Sequence, residues 1–377
     1  MLIDLLTHVS QESVIHYLLT TSSSPEIIQP VLDAGIEWFQ PTRRWHYDIN
    51  ALSQMAVWLR QKEIDVVHTY NAFANSWGYI AAKMARIPVI FTGEHGSILS
   101  AQPPINWTDK WAQRRATAVI ANSKASKMLL REKYHIPADR IYIVHNAVPE
   151  MKLVDIKKVR DEISLGRPYV IGSVGRLDMP KDFGVLVEAA ANICAHREDV
   201  TFVLVGGGPQ ETKLRRLVQE RGLTDRFIMT GWRADARSLI QAFDILISTS
   251  LQESFGNTLI EAALAGKPVI APAVGGIPDV VEDGKTGVLL IPTEPVRDLN
   301  AGDSQTLYKE VVINGKLSPP RSLNSIKLAE VIDDMLNQPG LLRSYGQAGK
   351  IRAHKLFLIN RYIKDVETIY ARFGGLR

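Results

Sequence analysis

Apolar runs of strand length alternate with amphipathic helical patterns along all 377 residues, and this alternation predicts an α/β protein with parallel sheets. Two further observations refine that expectation. The length suits two domains of ordinary size. The alternation also breaks once, over a charged, weakly patterned stretch at 149–168, which reads as a linker. Two Rossmann-like halves with parallel sheets facing across a cleft follow, with ligands expected at the strand ends.

In the first half the runs at 14–19, 66–68, 89–92, 118–121 and 141–144 read as strands. Strands at 169–174, 201–205, 227–230, 245–248, 269–270 and 288–291 follow in the second half. Their apolar continuity suits a parallel sheet covered on both faces. The predicted division is an N-terminal domain at 1–150, a linker at 151–168, a C-terminal domain at 169–345 and closing helices at 346–377. The last amphipathic segment, 358–373, is expected to pack back on the N-terminal domain. Residues 310–317 read as a hairpin on an Asn314-Gly315 turn, a surface elaboration within an insertion near 294–323.

Composition narrows the function classes. With 46% hydrophobic and 22% charged residues the chain reads as an ordinary soluble globular protein. Its net charge of +4 is not concentrated in the first 150 residues, which hold 14 Lys/Arg against 13 Asp/Glu, and this argues against a nucleic-acid partner. No apolar run approaches the ~18 residues of a spanning helix, and no secretory leader is evident. The lone Cys194 allows no disulfide within the chain, so a reducing, cytoplasmic compartment is expected.

The most informative stretch is 245–266, ILISTSLQESFGNTLIEAALAG. An apolar run ends in a polar loop, Gly256 follows, and a helix begins at once. Its first amides carry the positive end of the helix dipole, a ready anion site, with Glu253 and Glu261 on either side. Such a site suits a ligand with a diphosphate in its middle and hydroxyl-rich ends, which is the shape of a sugar nucleotide. Thr258-Leu259-Ile260-Glu261 also fits a capping box, which would make Glu261 structural. Upstream, a second strand leads into Gly172-Ser173-Val174-Gly175, then Arg176 and Lys181, whose charges suit phosphate oxygens. A third strand ends in Gly206-Gly207-Gly208-Pro209, which lacks the dinucleotide fingerprint yet leaves room for a flat ring or a phosphate.

From about Tyr169 to Pro292 the chain resembles glycosyltransferase family 4, the group 1 retaining transferases of GT-B fold. The likeness rests on GRLDMPKD, VLVGGGPQ, FIMTGW, the E-x7-E pair Glu253/Glu261 within SFGNTLIEAALAGKPVIA, and GGIPDVVEDGKTGVLL. It implies that Arg176 and Lys181 hold the donor diphosphate, with Gly207 at the donor site. Glu261 would bind the ribose and Glu253 the hydroxyls of the transferred sugar, while amides near Phe255, Gly256 and Asn257 cap the distal phosphate. No metal or other cofactor is implied, since the nucleotide sugar is a substrate. The acceptor would be a glycan or a lipid-linked glycan in surface polysaccharide or lipopolysaccharide synthesis, with room for peripheral membrane contact.

The first half carries fewer matches. His68 and, more pointedly, His95 in Thr92-Gly93-Glu94-His95-Gly96 match strand-end histidines of the family, and the counterpart of His95 lies near the reacting sugar. Ser123 and Asn146 also match and read as structural. The basic-aromatic stretches Arg43-Arg44-Trp45-His46-Tyr47 and 107–115 suit a solvated surface, or an anionic lipid or glycan. One departure stands out. Family members open with a strand and a glycine-rich loop, whereas residues 1–6 resemble the end of the helix that follows them. The expectation is therefore unpaired neighbouring edges, retained donor binding and weak turnover. Alternative readings are a catalytically impaired sugar-nucleotide-binding descendant and a sugar-nucleotide epimerase of the same fold.

Overall fold

The computed structural model describes residues 2–9, 14–45, 48–96, 104–296 and 309–374. They form two compact units, Met1–Pro149 with Phe357–Arg377, and Glu150–Leu356. Unit 1 runs α1 (Leu2–Leu6), β1 (Tyr17–Leu19), α2 (Pro25–Asp33), β2 (Glu37–Phe39), α3 (Ile49–Gln61) and β3 (Val66–Tyr70). It continues through α4 (Ala72–Ala85), β4 (Val89–Glu94), α5 (Ile105–Arg115), β5 (Ala118–Ala121), α6 (Lys124–Tyr134) and β6 (Ile141–Ile143). Every pairing among these strands is parallel, but the described strands form two sheets, β1-β2 and β3-β4-β5-β6. Strand β2 has no counterpart among the expected strands, because three residues are too few to show a period.

Helix starts in unit 1 follow local chemistry. Asp48, Asn71 and Ser123 each accept a backbone N–H of the turn they open, so Ser123 is a capping residue. The two central strands, β4 and β5, are wholly buried and form part of an apolar core around Phe91 and Ile120. A cavity of about 770 Å³ is lined by both β1 and β3 and by α1, α3 and α4.

Unit 2 opens with α7 (Ile156–Ile163), β7 (Tyr169–Val174), α8 (Phe183–Cys194), β8 (Val200–Val205), α9 (Glu211–Glu220) and β9 (Phe227–Gly231). It goes on with α10 (Ala236–Ile240), β10 (Ile245–Ile247), α11 (Asn257–Leu264), β11 (Val269–Pro272), α12 (Ile277–Val280) and β12 (Gly287–Leu290). A hairpin of β13 (Val311–Ile313) and β14 (Lys316–Ser318) precedes α13 (Ser325–Leu336) and α14 (Pro339–Leu356). Six strands form one parallel sheet in the order β12-β11-β10-β7-β8-β9. The last helix, α15 (Ile359–Arg372), belongs to unit 1, where Ile359, Tyr362, Val366 and Ile369 join the core around Phe91.

Three expectations need correction. The stretch 151–168 is not bare linker: α7 is capped by Asp155, buries Ile163 and holds Asp244 through Arg160 at 2.7 Å. Its charged outer face hid a helix whose only fully buried side chain is Ile163. The boundary expected at 345 falls inside α14, which runs unbroken to Leu356. The hairpin does sit on its Asn314-Gly315 turn, with φ of 47° and 75° as a primed turn requires. It is no surface elaboration, however, since Val311 and Ile313 are buried against Val274. Of the insertion near 294–323, residues 297–308 lie outside the described residues, as do His46 and Tyr47.

Candidate active site

In unit 2 the chain runs outward from β7 in both directions, through β8 and β9 on one side and β10 to β12 on the other. The carboxyl ends of β7 and β10 therefore flank a topological switch point, where open α/β sheets bind ligands. Glycines let the loops there approach closely. A Cβ on Gly206 would lie 1.9 Å from the Gly175 carbonyl oxygen, and one on Gly208 2.4 Å from that of Leu177. The Leu177 amide donates to the Gly207 carbonyl at 3.0 Å, and the Gln210 amide to Leu177 at 2.9 Å. From the other side, Leu251 N–H donates to Pro180 at 2.8 Å and the Thr249 hydroxyl to Lys181 at 2.7 Å. The strand ends of β7, β8 and β10 thus form one knitted surface.

Charged side chains sit on it in pairs. Lys181 Nζ meets Glu253 Oε2 at 2.6 Å, both largely shielded from water. Arg176 Nε reaches Asp178 Oδ2 at 3.0 Å while its side chain stays 60% exposed. Burial raises the Asp178 carboxyl above its ordinary value, with Arg176 and Lys181 opposing. Arg237 Nε holds Glu261 Oε1 at 2.8 Å. Helix α11 starts after Gly256, whose φ of 100° suits glycine, and no side chain caps it. Glu261 stands five residues into that helix and pairs with Arg237, so the capping-box reading fails. Phe255 is fully buried and anchors the turn, which leaves Gly256 and Asn257 at the positive helix end.

The structure therefore brings together Arg176, Lys181, Gly207, Glu253, Phe255, Gly256, Asn257 and Glu261 within unit 2. It also adds Arg237, which sequence reasoning passed over because nothing local marks an arginine in α10 as the partner of Glu261. Trp232, 76% exposed, lies beside Gly207 and offers an open aromatic face. In the sequence the only signal for it was a tryptophan straight after FIMTG. Such a surface can hold an anion among the cations and helix amides, and hydroxyls at its two acids. Among the described residues no group of three or more His, Cys, Asp or Glu is arranged to hold a metal ion.

His95 belongs to unit 1, just past β4. Its ring stacks on Tyr70 with centroids 5.1 Å apart, and both ring nitrogens are shut off from solvent. Burial pulls its pKa down to about 4, against the raising effect of the Asn146 side chain. His68 donates to or accepts from the Tyr370 hydroxyl at 2.8 Å and is pulled down to about 3, by burial first and then by His95. Both imidazoles are neutral at pH 7. The stretch 107–115 lies on α5, which exposes Trp107 and Trp111, with Arg115 stacked 5.0 Å from the Trp111 ring.

Residues 2–150 match the family described as Glycosyltransferase Family 4, and residues 168–305 the one described as Glycosyl transferases group 1. The chain belongs to the family 4, group 1 glycosyltransferases. A 2-deoxystreptamine glucosyltransferase of Streptomyces kanamyceticus is 31% identical over 235 residues, 57% of this chain and 60% of the relative. An N-acetyl-alpha-D-glucosaminyl L-malate synthase of Bacillus anthracis is 24% identical over 334 residues, 86% of this chain and 79% of that one. The match thus spans about 60% of the length of the first curated relative. Among solved structures, Anabaena HepE in complex with UDP superposes with a TM-score of 0.81 at 21% identity, covering 98% of this chain and 95% of HepE. The family member thus has the GT-B fold, with parallel sheets in both units.

Proposed function

We propose that this glycosyltransferase moves a sugar from a nucleotide diphosphate sugar to a hydroxyl acceptor, with retention at the reacting carbon. The observation that carries the reading is the set of acid–base pairs, Lys181–Glu253 and Arg237–Glu261, around the start of α11 at the switch point of unit 2. Arg176 and Lys181 bind the diphosphate, and the amides at Phe255, Gly256 and Asn257 cap its distal phosphate. Gly207 lets the ligand approach the backbone, Glu261 receives ribose hydroxyls, and Glu253 those of the transferred sugar. In the transfer, the bond from the anomeric carbon to the diphosphate oxygen breaks. The acceptor oxygen bonds to that carbon on the same face, and its proton passes to the departing diphosphate. Negative charge grows on the leaving group, where Arg176, Lys181 and the helix amides offset it. His95 of unit 1, matched to a strand-end histidine of the family, is neutral, and its part in transfer would be that of a polar group and not of a cation.

The bound UDP of HepE supports a uridine donor, and the cationic-aromatic face of α5 supports a lipid-linked glycan acceptor at the cytoplasmic face of a membrane. No described helix is long and apolar enough to cross a membrane, so such contact would be peripheral. A second reading, donor binding with little transfer, is favoured by the division of the described strands of unit 1 into two sheets. A thermal-shift panel of UDP-, GDP- and ADP-sugars finds the donor, since a ligand at a hundred times its Kd stabilises by about 2.7 kcal/mol. Product analysis with that donor, with and without an acceptor alcohol, then decides. A new glycoside supports transfer, an isomerised donor supports an epimerase, and binding without product supports the second reading.

A further inference from the structure

The segment 273–276, which leaves β11, touches both the hairpin and Glu253. The Gly275 amide donates to the Val312 carbonyl at 2.8 Å, and the Asn314 amide to Ala273 at 2.9 Å. Val274 bridges to Ile313 in antiparallel register, and its side chain is buried with Val311 and Ile313 in a small apolar cluster. On the other side, the Gly276 amide donates to the Glu253 carbonyl at 3.1 Å. Gly275 has a φ of +55°, and a Cβ there would lie 1.8 Å from that same carbonyl oxygen. The base of the inserted segment is tied by paired Glu294 and Ser322 backbones, with amide–carbonyl distances of 3.0 and 2.9 Å.

We infer that the hairpin β13–β14 is a positioning element for Glu253: it holds 273–276 against the Glu253 backbone and so sets where the carboxylate meets the transferred sugar. The inference rests on the sugar-binding role proposed for Glu253. The hairpin adds two backbone hydrogen bonds and an apolar anchor to a loop that glycine would otherwise leave free to move. Lys181, held by Glu253 at 2.6 Å, also contacts the diphosphate in this reading, but Arg176 and the α11 amides do not pass through the hairpin. Loosening the hairpin therefore acts on sugar recognition far more than on nucleotide recognition.

The test compares Kd for the tightest nucleotide sugar of the panel with Kd for its bare nucleotide diphosphate. It uses the full chain and variants Ile313→Ala, Ile313→Val, Glu253→Gln and the Ile313→Ala/Glu253→Gln double. Gly315→Val strains the exposed turn from the solvent side and replaces Ile313→Ala if that variant does not fold. Ile313→Ala, or Gly315→Val, is expected to reduce the preference for the sugar-bearing ligand about tenfold while bare-nucleotide affinity holds, and Ile313→Val to restore it. In the Glu253→Gln background the hairpin substitution should have no further effect on that preference. Equal losses for both ligands, or additive losses in the double variant, would overturn the inference. If the unaltered chain binds no nucleotide sugar, it is the proposed function that falls.

Discussion

The two units use one architecture to different ends. Unit 2 is a single six-stranded parallel sheet whose central strand ends are pressed together by glycines, with charged side chains answered by partners at 2.6–2.8 Å. In unit 1 the described strands fall into sheets of two and four, a cavity of about 770 Å³ lies against both, and two histidines are buried uncharged. The ion pairs of unit 2 fix its charges in place before any ligand arrives, which is what the proposed donor site requires. Unit 1 places titratable rings in an apolar setting, so its stability responds to pH and to whatever fills its cavity. The units should therefore fail under different insults.

The sharpest separation comes from the cations. Arg176→Ala/Lys181→Ala should weaken nucleotide diphosphate binding by about 3–5 kcal/mol, since each charge-assisted hydrogen bond contributes roughly 1.5–3. The unfolding of unit 1 should not change, as followed by fluorescence, because six of the chain's seven tryptophans lie there. Nucleotide titration calorimetry checks the first half, and unaltered affinity would remove both residues from the site.

Acid should strike the other unit. His68 and His95 titrate in the folded chain near 3 and 4, below the ordinary 6.5, so between those values the unfolded chain binds more protons. Their stabilising effect is complete above about pH 6.5 and is lost as the pH falls toward 4. From pH 7 to pH 5 unit 1 should lose about 3–4 kcal/mol, at 1.36 kcal/mol per pKa unit for each ring. Denaturation followed by tryptophan fluorescence at both pH values tests this, and His68→Gln should roughly halve the loss. A flat profile would mean that the rings are solvated.

Gly275→Ala combines a strained φ with a Cβ 1.8 Å from a backbone oxygen. It should cost unit 2 about 2–4 kcal/mol and leave unit 1 unaffected. Circular dichroism melts read alongside tryptophan fluorescence would show which unit shifts. The smallest expected effect is that of Glu253→Gln on bare nucleotide affinity, within about 0.5 kcal/mol, although transfer should fall. A large loss of bare nucleotide binding would mean that Glu253 acts through Lys181 and not through the sugar.

Much of unit 2 was legible in the residues themselves. Apolar runs locate its strands because a parallel strand buried on both faces has no polar side to interrupt it. Glycine at 175, 206–208 and 256 marks the strand ends because it allows close backbone approach, and Arg176 and Lys181 mark a loop whose charge suits an anion. The short β2 and the charged α7 were not legible, since three residues show no period and a solvated helix shows little hydrophobicity.

The order of residues along the chain was therefore enough for the fold class and the family, and it marked the residues proposed to bear the chemistry of unit 2. These follow from local pattern and residue type. Only the folded chain shows that Arg237 answers Glu261 and that Lys181 answers Glu253. It alone seated the hairpin on 273–275 and left His95 neutral beside Tyr70. Each of these depends on contact or burial between residues 24 or more positions apart, which neither propensity nor spacing along the chain encodes.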